Sequence, residues 1–273
     1  MTSVEEVPRW LRPAIVRLVL MFVVFFGVDM LVGLVMNAVA GAPVAREVLG
    51  VTFAVLALLA YAGMVRFTER RPVVELRKAD AVRGLSRGLG FGLALFAATI
   101  ALIAVFGGYS ITGWGSVGGA IGWLGLLSAL AVAEELVFRG VLLRILEQLA
   151  GTRVALVISA VFFGGLHLAN PDATVWGALA IAVEAGLMLG AAYVYSRNLW
   201  LPIGLHLGWN FAETGIFGTA ISGSGNHSQG LFESVMSGPA VLTGGEFGPE
   251  ASIVAILVCA VPTVLFLRAA KRK

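Results

Sequence analysis

The feature that most constrains this chain is a recurrence of long apolar stretches. An α-helix needs about 17–25 mostly apolar residues to cross the ~30 Å hydrocarbon core of a bilayer. Stretches of that kind fall at about 14–37, 47–66, 88–107, 119–143, 153–169, 174–195, 199–219 and 250–267. The expectation is an all-α, polytopic membrane protein with about eight transmembrane helices. Composition excludes the soluble alternative. Only 13% of the 273 residues are charged and 59% are hydrophobic, whereas a soluble domain is about a quarter charged. No polar block between the stretches could fold as a separate soluble unit, so residues 1–273 read as a single membrane domain.

Charge then sets an orientation. With the N-terminus inside, all of the 19 lysines and arginines except Arg17, Arg46 and Arg139 fall in cytoplasmic segments. That bias follows the positive-inside rule and places both termini in the cytoplasm. The same bias accounts for a pI near 9.3, which would otherwise suggest nucleic acid; no nucleic-acid partner is expected. The first stretch does not read as a signal peptide. It is too long for an h-region and contains Asp29, although Ala38 to Ala45 supplies small residues of the kind found at cleavage sites. The single Cys259 excludes a disulfide framework and a cysteine-based metal site. The basic loop from Arg66 to Arg87 suits contact with anionic lipid. The outer loop 218–249 is long and rich in Gly and Ser, and its role is not legible.

Chemistry is concentrated in three helices. The fourth stretch carries Glu134, Glu135 and Arg139. A charge at the centre of a membrane helix costs about 2.5–3.5 kcal/mol or more, so such residues face a bundle interior or a water cavity. Glu135 and Arg139 are four apart and can pair. Glu134 lies about 100° around the helix, without a partner on its own helix. The fifth stretch ends Phe163-Gly164-Gly165-Leu166-His167, where the glycine pair permits close helix approach. The seventh presents His206 and Asn210 from one face. Each element alone could be an ordinary interhelical contact.

Depth makes them a set. Counted from the nearest cytoplasmic charge, Glu134, His167, His206 and Asn210 lie about 15, 21, 14 and 20 Å into the membrane. A glutamate, two histidines and an amide at one level suit hydrolysis. The carboxylate can take a proton from water, and imidazole and amide donors can hold an oxyanion. No His-Glu-x-x-His zinc motif is present. The residues call for no cofactor, yet two histidines and a carboxylate leave zinc or another divalent metal open. Counting from the basic side also places the mouth of the site towards the cytoplasm. The basic loops around it would favour a substrate with an acidic or carboxylate end.

Together the motifs Glu134-Glu135-x-x-x-Arg139, Phe163-x-x-x-His167 and His206-x-x-x-Asn210 resemble the CPBP family. These are CAAX proteases and bacteriocin-processing enzymes, also called the Abi family. The resemblance covers about residues 119–215, a catalytic core within the larger domain. The segment Gly244 to Glu250 also resembles bacterial members. The resemblance implies Glu134 as general base, His167 as a residue that positions the water, and His206 and Asn210 as the oxyanion hole. It makes Glu135 and Arg139 supporting residues. It further implies a membrane-associated peptide or protein substrate, a lipid bilayer as environment, and a multi-pass protein of the cell membrane, in a bacterial plasma membrane. Two other classes compete: a non-catalytic immunity or regulatory scaffold using the same pocket, and a proton-coupled transporter, for which Asp29 and Glu184 are further intramembrane acids.

Overall fold

The computed structural model describes residues 8–225 and 230–272. Residues 1–7, the stretch 226–229 of the outer loop and Lys273 lie outside the described residues. The helices are α1 (Ala14–Ala38), α2 (Pro43–Glu69), α3 (Ala81–Val105), α4 (Val117–Ile121), α5 (Leu124–Glu135), α6 (Arg144–Leu166), α7 (Val175–Ile181), α8 (Met188–Ser196), α9 (Trp200–Asn210), α10 (Ala240–Thr243) and α11 (Ile253–Ala270). The fold is all-α and polytopic. Six helices among the described residues are long and apolar enough to cross a membrane. One of these spans Val117 to Ala169, 53 residues, or about 80 Å at 1.5 Å per residue. That is more than twice a bilayer core. It breaks at Gly151, whose φ of 79° and ψ of 163° are not helical. The expected count of eight takes this run as two helices and adds α9 with its continuation to Ile216.

Three helices carry π-helical segments: Leu136–Leu143 between α5 and α6, Ala182–Leu187 between α7 and α8, and Phe211–Ile216 after α9. A π turn holds an extra residue, and such turns occur mostly at functional sites. One small sheet departs from the all-helical expectation. β1 (Tyr109–Trp114) pairs antiparallel with β2 (Phe232–Met236), giving the outer loop a framework that apolar periodicity does not reveal.

Helix α9 is locked to α3 by glycines. A Cβ on Gly88 or Gly92 would meet the carbonyl oxygens of Leu201 or Leu205 at 2.3 and 2.2 Å. A Cβ on Gly204 or Gly208 would meet those of Leu85 or Leu89 at 2.4 and 2.3 Å. The two backbones therefore touch along two turns, the small-residue packing that membrane helices favour. Of the expected Gly164-Gly165 pair, only the first serves this purpose. A Cβ on Gly164 would lie 2.2 Å from the Ala178 carbonyl oxygen, whereas one on Gly165 would meet nothing within 4 Å.

Candidate active site

Glu135 and Arg139 are both fully buried, and Arg139 Nη1 donates to Glu135 Oε1 at 2.8 Å. The i, i+4 spacing accounts for that bond. Arg139 Nη2 also donates to the carbonyls of Ala185 and Gly186, both at 3.1 Å. Those two residues lie in a π-helical segment, where a backbone carbonyl can turn away from its helix. The guanidinium carbon sits 4.7 Å from the centre of the Phe163 ring, a cation–π contact. Arg139 thus joins three helices.

Sequence spacing did not show that Glu135 also holds a histidine. His206 Nδ1 lies 3.0 Å from Glu135 Oε1, and its Nε2 lies 3.7 Å from Glu134 Oε2. A carboxylate only accepts, so Nδ1 carries the proton. The imidazole is therefore oriented by Glu135 and aimed at Glu134. His167 is fixed in a similar way. Its Nδ1 lies 2.8 Å from the Phe163 carbonyl oxygen, which again requires Nδ1–H and leaves Nε2 to face the cavity. His167 lies at the end of its span, as expected. It comes directly after the last residue of α6 and opens a 3₁₀ turn, His167–Ala169.

Glu134, His167, His206 and Asn210 line one cavity of about 510 Å³. The side chain of Glu134 is 20% exposed, while His206 and Asn210 are buried. The cavity also takes in Asp29 and Glu184, which the sequence marked only as further intramembrane acids, together with Ser222 and Glu250. Glu250 accepts from Trp209 Nε1 at 3.0 Å and from Ser222 Oγ at 2.5 Å. It ties the outer loop to the residue beside Asn210. A signal existed in the segment Gly244 to Glu250, but nothing in the sequence said that it folds back onto α9.

Among the described residues no lysine or arginine lines the cavity, although basic loops were expected around its mouth. Asn170, Ile221, Ser222 and Ser224 form its wall at the end of the bundle opposite those loops. On its flank are Met30, Gly33 and Leu34 of α1, with Met30 and Leu34 exposed.

Among the described residues no three His, Cys, Asp or Glu side chains converge to hold a metal ion. One nitrogen of each histidine is held, by Glu135 for His206 and by the Phe163 carbonyl for His167.

Residues 116–212 match the family model described as type II CAAX prenyl endopeptidase Rce1-like. That match covers about a third of the chain and supports a CPBP/CAAX protease assignment, a family of intramembrane endopeptidases. The matched segment contains all seven motif residues, from Glu134 to Asn210. Neither the curated proteins nor the solved structures gave a match.

Proposed function

We propose that this protein is an intramembrane endopeptidase that hydrolyses a peptide bond of a membrane-associated peptide or protein with water activated by Glu134. The observation that supports this reading best is the convergence of Glu134, His167, His206 and Asn210 on one cavity, with His206 held by the Glu135–Arg139 pair. Each has a chemical part. Water sits between Glu134 and His167 Nε2, whose lone pair accepts one of its hydrogens. Glu134 takes the other proton as oxygen attacks the scissile carbonyl carbon. The carbonyl oxygen becomes an oxyanion facing the Asn210 amide and His206 Nε2. For Nε2 to donate, the ring must carry both protons, one on Nδ1 towards Glu135 and one on Nε2. Glu134 then passes its proton to the leaving amine nitrogen as the C–N bond breaks. Nε2 of His206, Nε2 of His167 and Glu134 are the groups that touch reacting atoms; Glu135 and Arg139 position them.

The protein works in this reading with both termini in the cytoplasm, in a bacterial plasma membrane. The test is cleavage of a peptide library by the purified full chain in nanodiscs. Glu134→Gln keeps shape and should lower turnover at least about a thousandfold, since a general base and the water it orients act together. Thermal stability should stay within a few degrees. A scaffold using the same pocket would bind peptides without cleaving any, and a transporter would carry protons in peptide-free liposomes. Cleavage that survives Glu134→Gln would remove the proposed base.

A further inference from the structure

The cavity wall is acidic. Asp29, Glu134, Glu184 and Glu250 line it and, among the described residues, no lysine or arginine does. Two of these acids have unmet bonding capacity. Glu184 is fully buried; among the described residues its one hydrogen-bonding neighbour is the Cys259 thiol, a weak donor, and neither carboxyl oxygen has an N–H or O–H partner. Asp29 is nearly as buried, and its Oδ1 is likewise without one. Glu250, by contrast, is bonded to Trp209 and Ser222. A buried carboxyl group without a partner is costly in a low-dielectric interior. Folding alone does not explain why two such groups point into the same cavity.

We infer that Asp29 and Glu184 bind a basic side chain of the substrate, a lysine or arginine next to the scissile bond. This rests on the peptidase reading of the same cavity and reverses the acidic preference expected from the basic loops. The placement fits. Asp29 lies on α1, beside the exposed Met30 and Leu34 at the lipid-facing flank, and within electrostatic reach of Glu134 and His206. Glu184 lies in the Ala182–Leu187 segment, lines the same cavity and is within electrostatic reach of Glu250. A cationic head supplies each carboxyl with its missing donors, and its aliphatic stem suits walls built from Ile181, Met188 and Leu189. An anionic group would meet four carboxyls and, among the described residues, no lysine or arginine, so the site rejects as well as selects.

The experiment compares apolar peptides of identical length whose central residue is lysine, acetyl-lysine or glutamate. Binding is first measured to the full chain carrying Glu134→Gln in nanodiscs, which separates recognition from hydrolysis. The lysine peptide should bind about ten- to a hundredfold more tightly than the acetyl-lysine peptide, as a charge-assisted hydrogen bond in a buried site implies. Adding Glu184→Gln, or Asp29→Asn, should bring that ratio down towards one. Both changes keep shape and hydrogen-bonding groups, and the lysine to acetyl-lysine ratio in the parent needs neither variant to fold. Equal binding of the two peptides, or a ratio that survives both substitutions, would overturn the inference. If lysine is preferred but the unsubstituted protein cleaves nothing, recognition stands and the peptidase reading falls. If all peptides are cleaved alike whatever their charge, the peptidase reading stands and the basic-substrate inference falls.

Discussion

Two buried charge clusters lie at opposite ends of this bundle, and they are built differently. At the basic end, Arg144 grips Glu69 through both terminal nitrogens at 2.8 and 2.6 Å and donates Nε to the Gly140 carbonyl at 2.7 Å. Arg71 grips Glu75 at 2.8 and 2.7 Å and reaches Glu69 at 2.8 Å. The Tyr61 hydroxyl closes the group, 2.7 Å from Glu75 and 2.9 Å from the Gly140 carbonyl. Every carboxylate there is satisfied. In and behind the cavity at the other end, Asp29, Glu184 and Glu213 keep unpartnered oxygens. A complete network holds helices together. An incomplete one costs stability, and it persists where a ligand supplies the missing partner.

The comparison can be broken most sharply at its arginines. Arg144→Ala leaves Glu69 with Arg71 alone and frees the Gly140 carbonyl, and Arg139→Ala leaves Glu135 with His206 alone. Each should cost up to about 3–5 kcal/mol, because removing one partner leaves a buried charge less compensated. Thermal unfolding in detergent checks this; full stability in either variant would mean that the pair is not structural. Arg139→Ala should in addition abolish cleavage, as His206 loses its anchor, whereas Arg144→Ala should act through stability alone.

Smaller effects sharpen the contrast. Tyr61→Phe removes one hydroxyl from a network whose other members keep partners, so a loss of about 1 kcal/mol is expected, the scale of membrane hydrogen bonds. Arg197→Ala breaks a pair with Glu147 at 2.6 Å in which the arginine side chain is 58% exposed. That should cost under about 1 kcal/mol. Glu184→Gln and Glu213→Gln should cost nothing or raise the melting temperature slightly, because an amide is easier to bury than a carboxyl with no partner. A large loss of stability in Glu184→Gln would show that this end, too, is a structural network.

Much of this was legible from the residues. Apolar length gave the membrane helices, and i, i+4 spacing gave the Glu135–Arg139 bond. The three polar motifs fell on helices that do meet. The missing parts share a cause: they depend on contacts far apart in the chain or on an irregular backbone. Nothing in Leu136–Leu143 announces a π turn, yet that turn re-aims the side chains beyond Glu135. Glu135 looked satisfied by Arg139, so its bond to His206, 71 positions away, had no local signal. Asp29 and Glu184 looked like isolated acids because only packing brings α1 and the Ala182–Leu187 turn to one cavity. Basic loops were expected around the mouth, yet among the described residues no lysine or arginine lines the cavity, because charge near a span end says nothing of which side chains packing turns inward.

The glycine contact between α3 and α9 has a consequence for how this sequence can vary. His206 and Asn210 owe their distance from Glu134 partly to Gly88, Gly92, Gly204 and Gly208, where an added methyl group would come within 2.2–2.4 Å of a backbone oxygen. Ordinary contact needs an ångström more, so even alanine forces the two helix axes apart and carries the oxyanion donors with them. These four positions bear no functional group, and no survey of charged or polar residues would select them. In a saturation library of this protein they should nevertheless rank with the motif residues themselves in intolerance, a pattern of constraint written in what is absent from the side chain.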